Sequence, residues 1–230
     1  MRQTEHQGIK FLYRDDTSDL KTFEEVVIRD VYQKKENKIQ KGEHWIDCGG
    51  NVGAFTVLAC SKGAKVTVYE PDPFNCKMIE KNLKLNGFDA EIVCAGLVHN
   101  ETKRANLYVG NNGNVWRNSM FKNWNGKGLK VDCVNFDEVV PDGVCVKMDI
   151  EGAEMPILES TKRKFNKLVF EWSFDIDPSL PRFWKVMEKL HKQYNVAPIG
   201  NTAKFKTRDY DVWQKSWFPA CTNVFCYEKN

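Results

Sequence analysis

The fold class is decided by the stretch Asp47-Cys48-Gly49-Gly50-Asn51-Val52-Gly53, which joins an apolar run to a helical pattern. Residues 44–47 predict a short strand, and residues 52–61 predict the helix that follows, with Gly63 as its C-terminal cap. Glycines in such a turn permit a tight bend and let a ligand approach the backbone closely. The stretch therefore predicts a strand-to-helix turn of an α/β fold, with or without a bound ligand.

The alternation of strands and helices continues beyond this turn. The further elements predicted are a strand at 65–69, a helix at 75–86, strands at 90–97, 144–148 and 168–170, a helix at about 181–191 and a strand at 222–227. Such alternation is typical of βαβ units in a parallel sheet. Between residues 106 and 140 the pattern breaks, which predicts a β-hairpin inserted between the third and fourth parallel strands. We expect a three-layer, doubly wound α/β sheet.

The composition fits one globular domain rather than a disordered chain. The 230 residues are 42% apolar and 28% charged, and 34 basic against 31 acidic side chains leave a net charge of +3. This balance does not favour nucleic acid as a partner. Apolar runs are of strand length only, so no membrane span is predicted. We expect a lead-in at residues 1–42, built as one amphipathic helix around residues 23–31, and one domain at residues 43–230.

The cysteine pattern argues against a zinc site and for a reducing compartment. Eight cysteines are scattered along the chain without any Cys-x-x-Cys pair or nearby Cys/His cluster. The start of the chain lacks the apolar run of a signal peptide. We therefore expect buried free thiols and a cytoplasmic location.

A second signal for a ligand is Glu70, which ends the second predicted strand and is followed by Pro71. A carboxylate at this place can accept hydrogen bonds from both ribose hydroxyls of an adenosine, and it would repel a 2′-phosphate. A solvated acid at a strand end is the alternative. Small residues after the third strand, Cys94 and Ala95, can lie beside an adenine ring.

Acidic side chains also follow the fourth and fifth strands. Asp149 and Glu151 are two residues apart, so in extended backbone they point the same way, and Glu171 ends the neighbouring strand. Three carboxylates at one edge of a sheet are costly unless they are paired, bind a cation or take part in chemistry. Lys147 could pair with one of them, so a salt-bridged edge stays open as an alternative.

Together these residues resemble the FkbM family of S-adenosylmethionine-dependent methyltransferases. The matching pieces are Asp47-x-Gly49-x-Asn51-x-Gly53, Glu70-Pro71, Asn82-Leu83-x-Leu85-Asn86, Lys147-x-Asp149-x-Glu151-Gly152-x-Glu154, Glu171 and Thr222-Asn223-Val224. The resemblance covers about residues 44–227. It implies a class I methyltransferase fold, with seven mostly parallel strands and the last strand antiparallel. The implied reaction is methyl transfer to oxygen, often of a sugar or polyketide hydroxyl.

The resemblance also implies roles for particular residues. The glycine turn would line the methionine part of S-adenosylmethionine, Glu70 would hold the ribose, and Asp149 would face the amino group or the sulfonium. The full cofactor-binding set that we expect is Asp47, Gly49, Gly50, Asn51, Gly53, Glu70, Pro71, Cys94, Ala95 and Asp149. Family members often carry a histidine two residues after the acid that matches Glu171, whereas this chain has Ser173 there. The resemblance therefore does not supply a histidine base at that position.

A sugar hydroxyl is a poor nucleophile at neutral pH, so a base or a metal must take its proton. The expected catalytic residues are Asp149, Glu151 and Glu171, either as base or as ligands of Mg²⁺ or another hard cation. The acceptor pocket is expected from aromatic and polar residues, namely Trp116, Arg117, Asn118, Ser119, Trp124, Trp172, Phe174, Asp175 and Asp177.

Two other functions share the predicted fold. An NAD-dependent oxidoreductase would need a Gly-x-Gly-x-x-Gly turn, and the glycines here are spaced differently. A nucleic-acid methyltransferase would normally present a basic face, whereas this chain offers acids at the sheet edge. We expect a small-molecule or glycan acceptor. The resemblance also implies fusion to or association with glycosyltransferase domains, which family members can carry.

Overall fold

The computed structural model describes residues 1–110, 117–123, 128–173, 176–198 and 221–229. In chain order the elements are β1 (Arg2–His6), β2 (Ile9–Tyr13), α1 (Asp19–Phe23), a π-helical turn (Glu24–Ile28), a 3-10 turn (Lys35–Asn37), β3 (His44–Cys48), α2 (Ala54–Ser61), β4 (Lys65–Tyr69), α3 (Pro73–Asn86), β5 (Glu91–Val93), β6 (Gly96–Val98), β7 (Arg104–Tyr108), β8 (Gly128–Asn135), α4 (Phe136–Val139), β9 (Cys145–Met148), α5 (Glu154–Ser160), β10 (Lys167–Ser173), α6 (Leu180–Gln193), β11 (Tyr194–Pro198) and β12 (Cys221–Glu228).

The central sheet has seven strands in the order β11-β12-β10-β9-β3-β4-β5. Strands β5, β4, β3, β9 and β10 pair in parallel, and β12 runs antiparallel to both of its neighbours. The predicted sheet, with its last strand reversed, is confirmed. The chain turns away from β3 towards β4 in one direction and later towards β9 in the other, so the carboxyl ends of β3 and β9 form a topological switch point.

Helices cover both faces of this sheet, which gives the predicted three layers. On one face Trp45 of β3 packs edge-on against Phe55 of α2, with ring centroids 5.4 Å apart. On the other face Trp172 of β10 stacks on Phe183 of α6 at 4.0 Å. These four side chains are almost completely buried. Two apolar cores, one on each face, therefore hold the helices against the sheet.

The third predicted strand, residues 90–97, proves to be two strands in different sheets. Residues 91–93 pair with β4, and residues 96–98 leave the central sheet to pair with β8. A tight turn separates them, because the amide of Ala95 donates to the carbonyl of Val93. The predicted hairpin insertion is confirmed in β7 and β8, which pair antiparallel.

The N-terminal segment differs from the single amphipathic helix that the sequence predicts. It begins with a β1–β2 hairpin whose turn has positive φ at Gln7 and Gly8, and helical turns follow at residues 19–28 and 35–37. Phe11 of the hairpin stacks on Phe23 of α1 with centroids 4.9 Å apart. The short hairpin is hard to recognise from sequence, because only Ile9 and Phe11 of its ten strand residues are buried.

One strand of the central sheet escapes prediction altogether. β11 lies at the sheet edge directly after α6 and ends at Pro198. A proline favours edge strands, where its missing amide costs no ladder hydrogen bond. Among the described residues, no helix combines the length and the apolar character needed to span a membrane.

Candidate active site

A cavity of about 450 Å³ opens at the carboxyl ends of β3, β4, β9 and β10. It is lined by Thr22, Glu25, Val26, Val31, Tyr32, Gly49, Gly50, Asn51, Ala54, Phe55, Tyr69, Glu70, Pro71, Asn75, Gly96, Leu97, Leu107, Arg117, Asn118, Met120, Lys147, Asp149, Ile150, Glu151, Glu171, Ser173 and Asn223. The switch point, the N-terminal segment and the hairpin insertion thus contribute to one site. Asp47, Gly53, Cys94 and Ala95 are not part of its wall.

The glycine turn forms one side of the cavity through its backbone. The amides of Gly49 and Gly50 donate to the carbonyl of Tyr69 at 2.9 and 3.2 Å, which ties the turn to the end of β4. Gly49 has a φ of +82°, and a Cβ atom there would lie 1.9 Å from the carbonyl oxygen of Asp149. Glycine is therefore required at position 49 because two chain segments touch there.

Asp47 lies behind the turn rather than in the cavity. Its carboxylate accepts a hydrogen bond from Thr56 at 2.7 Å and pairs with Lys147 Nζ at 3.1 Å. Burial raises the pKa of Asp47, and the charge of Lys147 opposes that shift. Lys147 also donates to the carbonyl of Gly49 at 2.6 Å. Lys147 thus neutralises the buried Asp47. The pair also supports the glycine turn from behind.

Glu70 is fixed at the end of β4 by backbone amides. Its Oε2 accepts from the amide of Asn51 at 2.7 Å, and its Oε1 accepts from the amide of Asp72 at 2.9 Å. Burial raises the pKa of Glu70 to about 7, although these hydrogen bonds favour the ionised form. The neighbouring Pro71 also lines the cavity. The carboxyl group is thus held rigidly at the cavity wall.

The prediction that the cysteines are free thiols is wrong for one pair. Cys76 of α3 and Cys94 after β5 form a disulfide, with Cα atoms 6.2 Å apart. Packing of α3 against the turn after β5 brings them together, and spacing alone does not show this. Gly96 and Leu97 line the cavity where Cys94 and Ala95 were expected.

The three predicted acids converge at the ends of β9 and β10 and line the same cavity. Asp149, Glu151 and Glu171 each offer a carboxylate oxygen, and these oxygens lie within 4.8 Å of one another. Burial, followed by the charges of its acidic neighbours, raises the pKa of Glu151 to about 9. Glu151 therefore holds a proton at neutral pH, which relieves the repulsion within the cluster.

The loop that carries Asp149 and Glu151 is strained and firmly held. Glu151 has a φ of +52°, a conformation that costs energy for any residue with a Cβ atom. The buried Glu154 accepts hydrogen bonds from the amides of Ile150 and Gly152 at 2.6 and 2.8 Å. Ser119 of the insertion donates to the carbonyl of Glu151 at 2.6 Å. These contacts keep Glu151 in the acid cluster.

The expected acceptor-pocket residues divide into three groups. Arg117 and Asn118 line the cavity, and Asn118 donates to Asp72 at 3.1 Å. Ser119 is a buried support, and Trp172 belongs to the core beneath the sheet, so the expectation of both as pocket walls is wrong. Asp177 binds Arg182 at the start of α6 and is not part of the wall. Outside the described residues lie Trp116, Trp124, Phe174 and Asp175.

Two cavity residues carry contacts that the sequence analysis did not anticipate. Tyr32 donates from its hydroxyl to Asp149 Oδ2 at 2.6 Å, and burial, with the charge of Asp149, raises its pKa well above 10. Asn223 of β12 pairs with Glu171 of β10 in the antiparallel ladder. The motif that contains Asn223 could have indicated it, whereas no local pattern distinguishes Tyr32.

A sheet of this order, with a glycine turn after β3 and an acid at the end of β4, defines a class I S-adenosylmethionine-dependent methyltransferase. The sequence matches the model of the methyltransferase FkbM domain over residues 47–195. The chain belongs to the FkbM methyltransferase family, and its methyl donor is S-adenosylmethionine. No curated protein matches the sequence significantly.

Solved structures show the same fold at low identity. The tRNA (uracil-54, C5)-methyltransferase of Pyrococcus abyssi, solved with S-adenosyl-L-homocysteine, has a TM-score of 0.50 and 13% identity over 98% of this chain. This chain spans only 43% of that protein's length. A putative rRNA-methylase from Clostridium thermocellum has a TM-score of 0.48 and 10% identity, over 95% of this chain and 99% of that one. At 13% identity the likeness to the Pyrococcus abyssi enzyme concerns the fold alone.

Proposed function

We propose that this methyltransferase transfers its methyl group to a hydroxyl oxygen, most suitably that of a sugar or glycan. The observation that carries the proposal is the cluster of Asp149, Glu151 and Glu171, which lines the same cavity as the glycine turn and Glu70. Bound S-adenosylmethionine supplies an electrophilic methyl group. A hydroxyl acceptor also needs a group that takes its proton, and the cluster offers such groups.

The residues present fit the cofactor. The backbone of Gly49, Gly50 and Asn51 lines the cavity, and a turn of this kind lets the methionine end approach the main chain closely. Glu70 would accept from the ribose hydroxyls, beside Pro71. Asp149 would face the cationic end of the methionine part. In this assignment Asp47 and Gly53 shape the turn from behind, and Cys94 and Ala95 support the adenine side without lining it.

The roles within the acid cluster follow from its protonation. Glu151 keeps its proton at neutral pH, so it would donate a hydrogen bond rather than accept a proton. The base would then be Asp149 or Glu171. In a second version of the proposal, the three carboxylates hold Mg²⁺, whose hard oxygen preference they match. The ion would lower the pKa of the acceptor hydroxyl.

Polar groups at the cavity support a hydroxyl-rich acceptor. Asn223 Oδ1 is buried, lines the cavity, and has no hydrogen-bond partner among the described residues. Such an oxygen favours a ligand that donates a hydrogen bond, as a sugar hydroxyl does. Ser173 and Asn118 add further polar atoms nearby. Acids at this edge disfavour a polyanion, which speaks against RNA, although the similar structures include RNA methyltransferases.

The test is transfer of isotope-labelled methyl from S-adenosylmethionine to a panel of deoxysugar glycosides, with a tRNA transcript as a competing acceptor. We expect label on a glycoside hydroxyl, and loss on the order of 100-fold in Asp149→Asn or Glu171→Gln, whichever removes the base. The control is Glu159→Gln, an acid on α5 that pairs with Lys185 outside the cavity. Loss of activity with EDTA, restored by Mg²⁺, would favour the metal version. Label on RNA alone would contradict the proposal.

A further inference from the structure

The N-terminal segment contributes a hydrogen bond to the acid cluster from outside the matched family domain. Tyr32 is only 6% exposed, and its hydroxyl donates to Asp149 Oδ2 at 2.6 Å. The family match begins at residue 47, so it does not include this tyrosine. The two residues are 117 positions apart in sequence, which makes the contact a feature of the folded cavity.

Hydrogen bonds fix the chain both before and after Tyr32. Before it, the amide of Val31 donates to the carbonyl of Glu25 in the π-helical turn at 3.3 Å. After it, the fully buried Asn37 donates to the carbonyls of Leu168 and Cys226 at 3.1 and 3.2 Å. These carbonyls belong to the adjacent strands β10 and β12. The segment is therefore attached to the sheet that carries Glu171.

The aromatic ring has packing of its own, independent of the hydroxyl. It lies edge-on to Phe55, with centroids 5.9 Å apart, and Lys147 Nζ lies 5.4 Å from its centroid. Removing the hydroxyl alone therefore leaves the ring contacts in place. The hydrogen bond to Asp149 can be tested without disturbing the fold around it.

We infer that Tyr32 is a positioning residue, which fixes the carboxylate of Asp149 by holding one oxygen and leaves the other to the cationic end of the methyl donor. This inference rests on the proposed assignment of Asp149 to that end of the cofactor. A side chain bonded at one oxygen has fewer orientations to lose when the ligand binds, so its contact with the ligand is stronger.

The experiment is a double-mutant cycle on cofactor affinity, measured by calorimetry with S-adenosylmethionine. We expect Tyr32→Phe to weaken binding about tenfold, because a hydrogen bond to a charged group is lost. Asp149→Asn should weaken it at least as much. The double variant should bind no more weakly than Asp149→Asn alone, because Tyr32 acts through Asp149. Tyr13→Phe, on the same segment but away from the cavity wall, is the matched control and should bind like wild type.

Two results would overturn the inference while leaving the cofactor assignment intact. One is unchanged affinity in Tyr32→Phe while Asp149→Asn binds weakly. The other is a double variant whose loss equals the product of the two single losses, as a merely structural effect of Tyr32 would give. Thermal unfolding of each variant identifies such a structural effect directly. If Asp149→Asn binds like wild type, the proposed assignment of Asp149 itself is wrong, and the inference falls with it.

Discussion

Glu70 is expected to couple cofactor binding to a proton near neutral pH. Burial raises its pKa to about 7, yet the ribose hydroxyls are proposed to donate to its ionised form. A ligand that favours the ionised form must displace the proton when the pH is below that pKa. The burial of Glu70 should therefore make the affinity for S-adenosylmethionine depend on pH.

We predict that the affinity for S-adenosylmethionine decreases as the pH falls below about 7, approaching tenfold per pH unit at the steepest. Calorimetry at pH 6 in buffers of different ionisation enthalpy should show proton release on binding. In Glu70→Gln this pH dependence should disappear, because the amide does not titrate. An unchanged pH profile in Glu70→Gln would show that another group is responsible.

Gly49 provides a second test at the level of one residue. A Cβ atom there would meet the Asp149 carbonyl oxygen, whereas a Cβ at Gly87 would have no atom within 4 Å. Both glycines have positive φ, +82° and +68°, so alanine is strained at either position. We expect Gly87→Ala to lower the unfolding free energy by about 1 kcal/mol. Gly49→Ala should lower it clearly further, in urea denaturation. Equal losses would mean that the two loops are not in contact.

At the scale of elements, the sequence predicts those strands and helices whose bounds depend on the local residue pattern. Residues 65–69 are bounded correctly, because a β-branched run leads into Glu70. The strand at 90–97 is misjudged, because its second half pairs with β8, which lies more than thirty residues further along the chain. Pairing of that kind depends on packing between distant segments, and hydrophobic periodicity does not contain it.

Helix α3 carries two asparagines of the family motif, and both attach the helix to the N-terminal hairpin. Asn82 and Asn86 lie four residues apart, hence on the same face of the helix, and both bind the backbone of β2. Asn82 accepts from the amide of Leu12 at 2.6 Å and donates to the carbonyl of Val52 at 2.9 Å. It therefore connects the N-terminal hairpin with the glycine turn.

We predict that Asn82→Ala lowers the unfolding free energy by about 2–3 kcal/mol, because the partly buried backbone groups of Leu12 and the buried carbonyl of Val52 lose their partner. Asn86→Ala should cost less, because its bonds to Lys10 are exposed to solvent. Urea denaturation of both variants gives the comparison. Equal and small losses would indicate that the hairpin is not held by α3.

At the scale of the whole molecule, the N-terminal segment packs against the sheet and against α3. Its hairpin is bound to α3, Asn37 reaches between β10 and β12, and Tyr32 lies in the cavity. A fragment of residues 43–230 lacks Phe11 and Phe23. The apolar surface that these two rings cover would then be exposed to solvent. Both rings belong to the core on the α2 face of the sheet.

We predict that the fragment of residues 43–230 does not fold cooperatively, as judged by thermal denaturation and near-UV circular dichroism. Removal of residues 1–6 is the matched control, because β1 is largely exposed and contacts β2 alone in its sheet. The control should keep a cooperative transition. A cooperative fragment 43–230 that binds S-adenosylmethionine like the full chain would contradict this view.

One part of the candidate site can be predicted from the local sequence, and another part depends on contacts between distant segments. The convergence of Asp149, Glu151 and Glu171 is predictable, because carboxyl ends of neighbouring parallel strands meet at one edge. Tyr32 and the Cys76–Cys94 disulfide are not predictable in this way. Each depends on how separate segments pack in space, and one sequence does not specify those distances.

The central claim is that one cavity binds S-adenosylmethionine, with Glu70 at the ribose. Calorimetric titration of the full chain with S-adenosylmethionine and, separately, with NAD tests it most directly. We expect saturable binding of S-adenosylmethionine at one site, strongly weakened in Glu70→Ala, and no binding of NAD. Binding of NAD without binding of S-adenosylmethionine, or full affinity in Glu70→Ala, would contradict it.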